Sequence, residues 1–245
     1  MATLPHMRFS FIPAALCLCA SLSAAISVAA PSRPSPAQGQ FTQTQLFAGL
    51  SAHHHWQQTH VVSLSDVRTY QVVNHKGKLL AEEVVAVDYA SPSTENFKVT
   101  SAKGSEFIRH HVFRRLIARE AKRIRAGGDG DGLINPENYT LEMVGTDQLA
   151  DSACLIVHAT PKHKKTELFD GQIWIDSQNF AIVKISGRLA KNPSFWVKQV
   201  DFVRDYRKVD GFWLVSSEKV VSEVRIFGKE TLTVDYDNYA VNAAP

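Results

Sequence analysis

Cysteine is almost absent from this sequence: three residues in 245, of which Cys17 and Cys19 fall within the first thirty. A chain this poor in thiols is no disulfide scaffold, and without its first thirty residues Cys154 has no partner for an intramolecular bridge. Cys154 sits in the apolar run Ala153-Cys154-Leu155-Ile156-Val157. That setting reads as a small buried hydrophobe and not as a nucleophile, because nothing electropositive flanks it. Nor does one sign of charge dominate: Lys+Arg number 27 against 24 Asp+Glu, an excess too small to argue for nucleic acid. No GxSxG, Walker loop, dinucleotide fingerprint, HExxH or Cys/His framework occurs, so no motif points to an enzyme, a cofactor or a metal. After residue 30 no window approaches eighteen apolar residues, and no transmembrane helix is expected there. What the chain does have is core material, 44% hydrophobic residues against 21% charged, which excludes wholesale disorder.

The first thirty residues stand apart. Arg8 is their only basic residue besides histidine, they hold no acid, and an apolar stretch leads to Val28-Ala29-Ala30 before Pro31. This reads as a secretory signal cut near Ala30, with Ser10, Pro13, Ser21, Ser23 and Ser27 arguing against a membrane anchor. Export leaves 245 − 30 = 215 residues. Residues 31–41, beginning PSRPSPAQGQ, form a Pro/Ser/Gln tether with nothing to bury and are expected to be disordered. The remainder, 42–241, reads as one domain.

Leu46, Phe47, Leu50 and Trp56 recur at helical spacing and predict a first helix. After His60 the period changes to two, and two alternating segments flank His75-Lys76-Gly77 as a hairpin. ENFKVTS reads as a third strand. Gly104-Ser105 then caps a second helix that Gly127-Gly128 stops, with Phe113, Leu116, Ile117, Ala121 and Ile124 in one stripe. Its other face carries Arg109, Arg114, Arg115, Arg119, Lys122, Arg123 and Arg125, with Glu106 and Glu120 the only acids. From Tyr139 onward everything reads as strand, with Asp170-Gly171, Asp210-Gly211 and Phe227-Gly228 as turns. About ten strands, two helices and no βαβ alternation predict a mainly β fold: a large curved antiparallel sheet, an unclosed β-barrel, with two helices as a lid on its concave face. Alternation puts Ala181, Val183 and Ile185 on one face, as it does Val200 with Phe202 and Trp213 with Val215.

Two clusters invite a metal reading and fail it. His53-His54-His55 and His110-His111 are consecutive on helices, so their rings diverge and no carboxylate partner is evident. Gly128-Asp129-Gly130-Asp131-Gly132 matches the middle of an EF-hand loop, but Gly127 and Asn138 occupy the first and closing ligand positions. A flexible acidic loop fits Asp129 and Asp131 better than calcium does. The basic helix face and Pro161-Lys162-His163-Lys164-Lys165 fit either a solvated surface or a contact with anionic headgroups or an acidic protein.

Gly171-Gln172-Ile173-Trp174-Ile175-Asp176, followed by Phe180-Ala181-Ile182-Val183, resembles a hairpin of the bacterial outer-membrane lipoprotein-sorting proteins, the LolA-like superfamily that includes the stress sensor RseB. Phe195-Trp196-Val197-Lys198, Tyr206 and Phe212-Trp213-Leu214 resemble the same group, and the order of elements matches across 42–241. The resemblance implies a periplasmic, non-catalytic carrier that takes lipid acyl chains or a lipoprotein into an apolar cavity. It implies as lining Phe113, Leu116, Ile117, Val183, Ile185, Val200, Phe202, Trp213 and Val215. Arg114, Arg115, Arg119, Lys122 and Arg123 would meet an anionic membrane or an envelope protein. The alternative is an RseB-like sensor whose output is binding a membrane-protein partner.

Overall fold

The computed structural model describes residues 41–91, 94–125, 134–149, 151–225 and 228–244, the side chains of 123–125 excepted. The expected signal, the tether up to residue 40, the Asp129/Asp131 loop and the side chains of Arg123, Ile124 and Arg125 lie outside the described residues.

Helix α1 (Gln43–His60) opens on a capping box, in which Thr42 accepts from the Gln45 N–H and the Gln45 side chain returns to the Thr42 backbone. Strands β1 (Val61–Asn74), β2 (Leu79–Ala90) and β3 (Thr94–Gly104) come next. The second helical region has three parts: α2 (Glu106–Ile108), a π-helical turn Arg109–Phe113, and α3 (Arg114–Arg125). Seven strands complete the fold: β4 (Tyr139–Leu149), β5 (Ser152–Pro161), β6 (Phe169–Asp176), β7 (Ile182–Leu189), β8 (Val197–Val209), β9 (Phe212–Val224) and β10 (Gly228–Ala243). Every pairing is antiparallel, in the order β3-β2-β1-β10-β9-β8-β7-β6-β5-β4. The end strands β3 and β4 do not pair, so the sheet is an unclosed barrel, as its sequence predicts.

Cross-strand register shows which residues share a face. Ile173, Ile185, Arg204, Glu218, Val234 and Tyr70 are successive partners across β6, β7, β8, β9, β10 and β1. Both helical regions pack on that face. Leu46, Phe47 and Leu50 of α1 join Leu141, Leu155, Val157, Ile173, Ile175 and Ile185 in a core over β4–β7. Phe113 joins Tyr70, Val72, Val85, Val87, Val234 and Tyr236 in a second core over β1, β2 and β10, with Ile108, Val112 and Ile117 at its margin. The π turn closes through the Arg114 N–H to the Arg109 carbonyl, five residues back. This extra residue in the turn rotates α3 about the helix axis relative to α2. The sequence predicts a plain helix here, without the π turn.

Asp170-Gly171, expected as a turn, lies inside β6. The chain reverses instead at 162–168, the Lys-rich segment before β6. Gly171 faces Gly187 across the strands, and a Cβ on it would fall 2.2 Å from the Ser186 carbonyl oxygen. Glycine is therefore needed here for backbone approach and not for a turn. Gly171→Ala is expected to destabilise by about 1–3 kcal/mol, the cost of overpacking, read as a fall in the denaturation midpoint at unchanged slope.

Candidate functional site

The helix-bearing face divides into two covered halves and a strip between them. Phe202, Val220, Leu232 and Val72 form one cross-strand row over β8, β9, β10 and β1. Phe202 packs at the edge of the α1 core and meets Phe169 edge-on at 5.4 Å, while Leu232 packs at the edge of the other core. Val220, between them, is partly exposed and belongs to neither. This is an apolar strip of sheet between the margins of the two cores. One step along the strands it turns polar. The Arg204 guanidinium donates to Glu218 at 2.6 and 3.0 Å. Burial would lower the Arg204 pKa, but Glu218 outweighs it and keeps the guanidinium charged.

A second charged group lies under α3. Arg68 of β1 is buried, and its Nε and Nη2 donate to both oxygens of Asp66 at 2.8 and 3.1 Å. Nη1 donates to Glu120 of α3 at 2.8 Å, and Nη2 also to Glu95 of β3 at 3.2 Å. The guanidinium lies over the rings of Tyr236, at 5.2 Å, and Phe97, at 5.7 Å. One cation thus ties β1, β3 and the helix together. It has three carboxylates to serve, and Glu95 is the least well served. That side chain is only 3% exposed, and its Oε2 has no hydrogen-bond partner among the described residues. Burial first, then the neighbouring Glu120, pushes its carboxyl up to about 7. Burial also raises the Asp66 carboxyl, against the pull of Arg68.

The nine expected lining residues do not converge on one cavity. Phe113 is buried in the core over β1, β2 and β10, with Ile117 and Val215 beside it. Ile185 and Phe202 belong to the α1 side. Val183 and Trp213 form a third group with Cys154 and Ala181. The register shift between Trp174 and Ile175, which pairs Ile175 with Ile182, breaks the alternation that places Val183 and Ile185 on one face. Val200 is buried in none of these groups, and Leu116 is partly buried. Of the nine, Phe202 and Val215 lie where the two halves meet. A separate groove of about 760 Å³ is lined by Arg188, Asp201 and Lys219 together with Phe202, Val203 and Val221. On the helix, Arg114, Arg115, Arg119 and Lys122 are exposed and make no ion pair among the described residues. Glu120, expected on that basic face, is turned under it to Arg68.

No family model matches this chain, and no curated protein does. Solved structures do. A DUF1329 family protein from Desulfovibrio piger is 13% identical over 80% of this chain and 92% of its own, with a TM-score of 0.41. A LolA superfamily protein from Nitrosomonas europaea is 12% identical over 84% and 96%, with a TM-score of 0.37. MucB of Pseudomonas aeruginosa, in its complex with MucA, is 10% identical over 82% and 99%, with a TM-score of 0.27. Of these neighbours, the Nitrosomonas europaea protein bears the LolA superfamily name. With TM-scores below 0.5 these likenesses carry nothing about cargo or partner, which must come from this chain's own geometry.

The Arg68 cluster is the part of this sheet that sequence reasoning missed. A signal existed: Asp66 and Arg68 stand two apart in an alternating strand, on the side of Tyr70 and Val72, where an apolar face was expected. Glu120, an acid among six Lys or Arg between 114 and 125, was the matching hint.

Proposed function

We propose that this protein is a periplasmic, non-catalytic binding protein, exported with cleavage near Ala30, tethered by 31–41 and folded over 42–241, that holds a lipid acyl chain. The observation that carries this reading is the apolar row Phe202–Val220–Leu232, left partly uncovered between two helix-capped cores. An acyl chain laid along it gains roughly 0.8 kcal/mol for each CH₂ it buries. The α1 core and the helix bearing Phe113 are the walls, and the Arg68–Glu120 pair is the contact that must give way if the wall swings out. A lipoprotein offers the same chemistry through its acyl groups. The test is mass spectrometry of lipids that co-purify with the exported chain. Wild type is expected to carry lipid stoichiometrically, and Val220→Glu, which puts a charge in the strip, to carry none while keeping its melting behaviour. Lipid-free wild-type protein would refute the reading.

A second reading has its own observation. Four exposed cations, Arg114, Arg115, Arg119 and Lys122, lie on one helix without ion pairs among the described residues. They suit an acidic envelope-protein partner, as in a sensor. Reversing Arg114, Arg115 and Arg119 to Glu separates the two readings: a carrier keeps its lipid load, whereas a sensor loses its partner.

A further inference from the structure

The antiparallel meander sends alternate connections to opposite rims of the sheet, and the two rims differ in charge. The β1–β2, β5–β6, β7–β8 and β9–β10 connections share one rim. Between them they hold Lys76, Lys78, Lys162, Lys164, Lys165, Lys191 and Arg225, against Glu167 as the only acid. The other rim, formed by the β2–β3, β4–β5, β6–β7 and β8–β9 connections, has Asp151 and Asp210 and no Lys or Arg. Residues 134–138, with Glu137, lead into β4 from the same rim.

The basic rim also displays two large aromatics. Phe195 is 75% exposed and Trp196 56%, side by side before β8 with ring centroids 5.7 Å apart. The loop is braced: the Arg225 guanidinium sits 4.7 Å from the centre of the Phe195 ring, its Nε donates to the Phe195 carbonyl, and its backbone N–H donates to that of Trp196. The Asn192 side chain ties the loop to the Lys198 carbonyl. A braced loop that exposes a phenyl and an indole, on the rim that carries these lysines and beside Arg225, pairs apolar anchors with cations. That combination is suited to the headgroup layer of an anionic bilayer, where indole rings settle and basic side chains gain from the surface potential.

We infer that this rim is a membrane-docking surface, with Phe195 and Trp196 entering the headgroup layer of an anionic bilayer and Lys164, Lys191 and Arg225 facing its phosphates. This goes beyond the lipid-carrier reading and does not depend on what the apolar strip holds. The test is co-sedimentation of the chain purified after export with vesicles of phosphatidylglycerol and phosphatidylcholine, and with vesicles of phosphatidylcholine alone. Binding is expected only to the anionic vesicles and is expected to weaken with salt. Phe195→Ser with Trp196→Ser, and separately Lys164→Glu with Lys191→Glu, are each expected to weaken it at least about tenfold. Because these side chains are exposed, the thermal melt should not move. Reversal of Arg114, Arg115 and Arg119 should leave vesicle binding within about twofold of wild type, since those residues are on the helix and not the rim. The inference is overturned if anionic vesicles do not bind at low salt, or if binding survives both rim variants. Loss with the helix variant alone overturns it too, as does a rim that ignores vesicles and binds an acidic protein instead.

Discussion

Replacing Arg68 by alanine is expected to cost about 3–5 kcal/mol of folding stability, the usual penalty for removing one partner from a buried ion cluster. The geometry gives the reason. Among the described residues Arg68 alone supplies the positive charge to Asp66, Glu95 and Glu120, and its bonds join β1, β3 and α3. Without it, three carboxylates are left together beneath a helix, and protonation is the only relief. Urea denaturation at pH 7.5 measures the loss. A second readout is local: amide exchange in the helix around Phe113 should speed up more than exchange in β5–β7, where α1 packs without Arg68. If R68A unfolds outright, Glu120→Gln serves instead. It keeps a hydrogen-bond acceptor while removing one charge, and it should loosen the helix without abolishing the sheet. A stability loss below about 1 kcal/mol for R68A would mean that the cluster contributes nothing beyond an exposed pair.

Mild acid is expected to stabilise this protein between pH 8 and pH 5, against the usual trend for carboxylates. Glu95 is the cause. Its folded carboxyl is pushed up to about 7, by burial first and Glu120 second, from an ordinary 4.5. Above pH 7 the folded protein holds it ionised at a cost on the order of 3 kcal/mol. As pH falls through 7 the folded state takes up a proton that the unfolded chain does not bind until near 4.5, so stability rises across that window. The raised Asp66 carboxyl acts in the same direction. His53 opposes it, because burial lowers the pKa of that imidazole. Glu95→Gln isolates the effect: it should be more stable than wild type at pH 8 and about equal at pH 5. Parallel pH curves for wild type and E95Q would refute the assignment.

These two effects arise where sequence reading was weakest. The strands were legible because alternation is local: each segment from Val61 onward shows its period of two without reference to its neighbours. The second helix was legible because Ser105 caps it and accepts the Ile108 N–H, and because its stripe lies on one side. The π turn was not, since it adds a residue without any marker residue. Asp170-Gly171 misled for a physical reason: glycine serves turns by its free φ and serves strands by its missing Cβ, and only the neighbouring strand distinguishes the two uses. Val183 and Ile185 were placed on one face because a register shift in the pairing is invisible in the strand that obeys the alternation.

By itself the sequence determined the composition of each layer: which segments are strands, which helix is basic outside and apolar inside, and that Cys154 is buried, its thiol pKa raised by that burial. These features come from local periodicity and from the cost of burying a polar side chain. The tertiary structure alone decided that β10 inserts beside β1, and so which half of the face each helix covers. It alone brought Glu120 to Arg68 across 52 positions of chain and gathered the lysines of three separate turns, with Arg225 of a fourth, on one rim. Pairing between distant strands is chosen by how the whole sheet closes its hydrogen bonds and covers its apolar face, and no short window of sequence contains that choice.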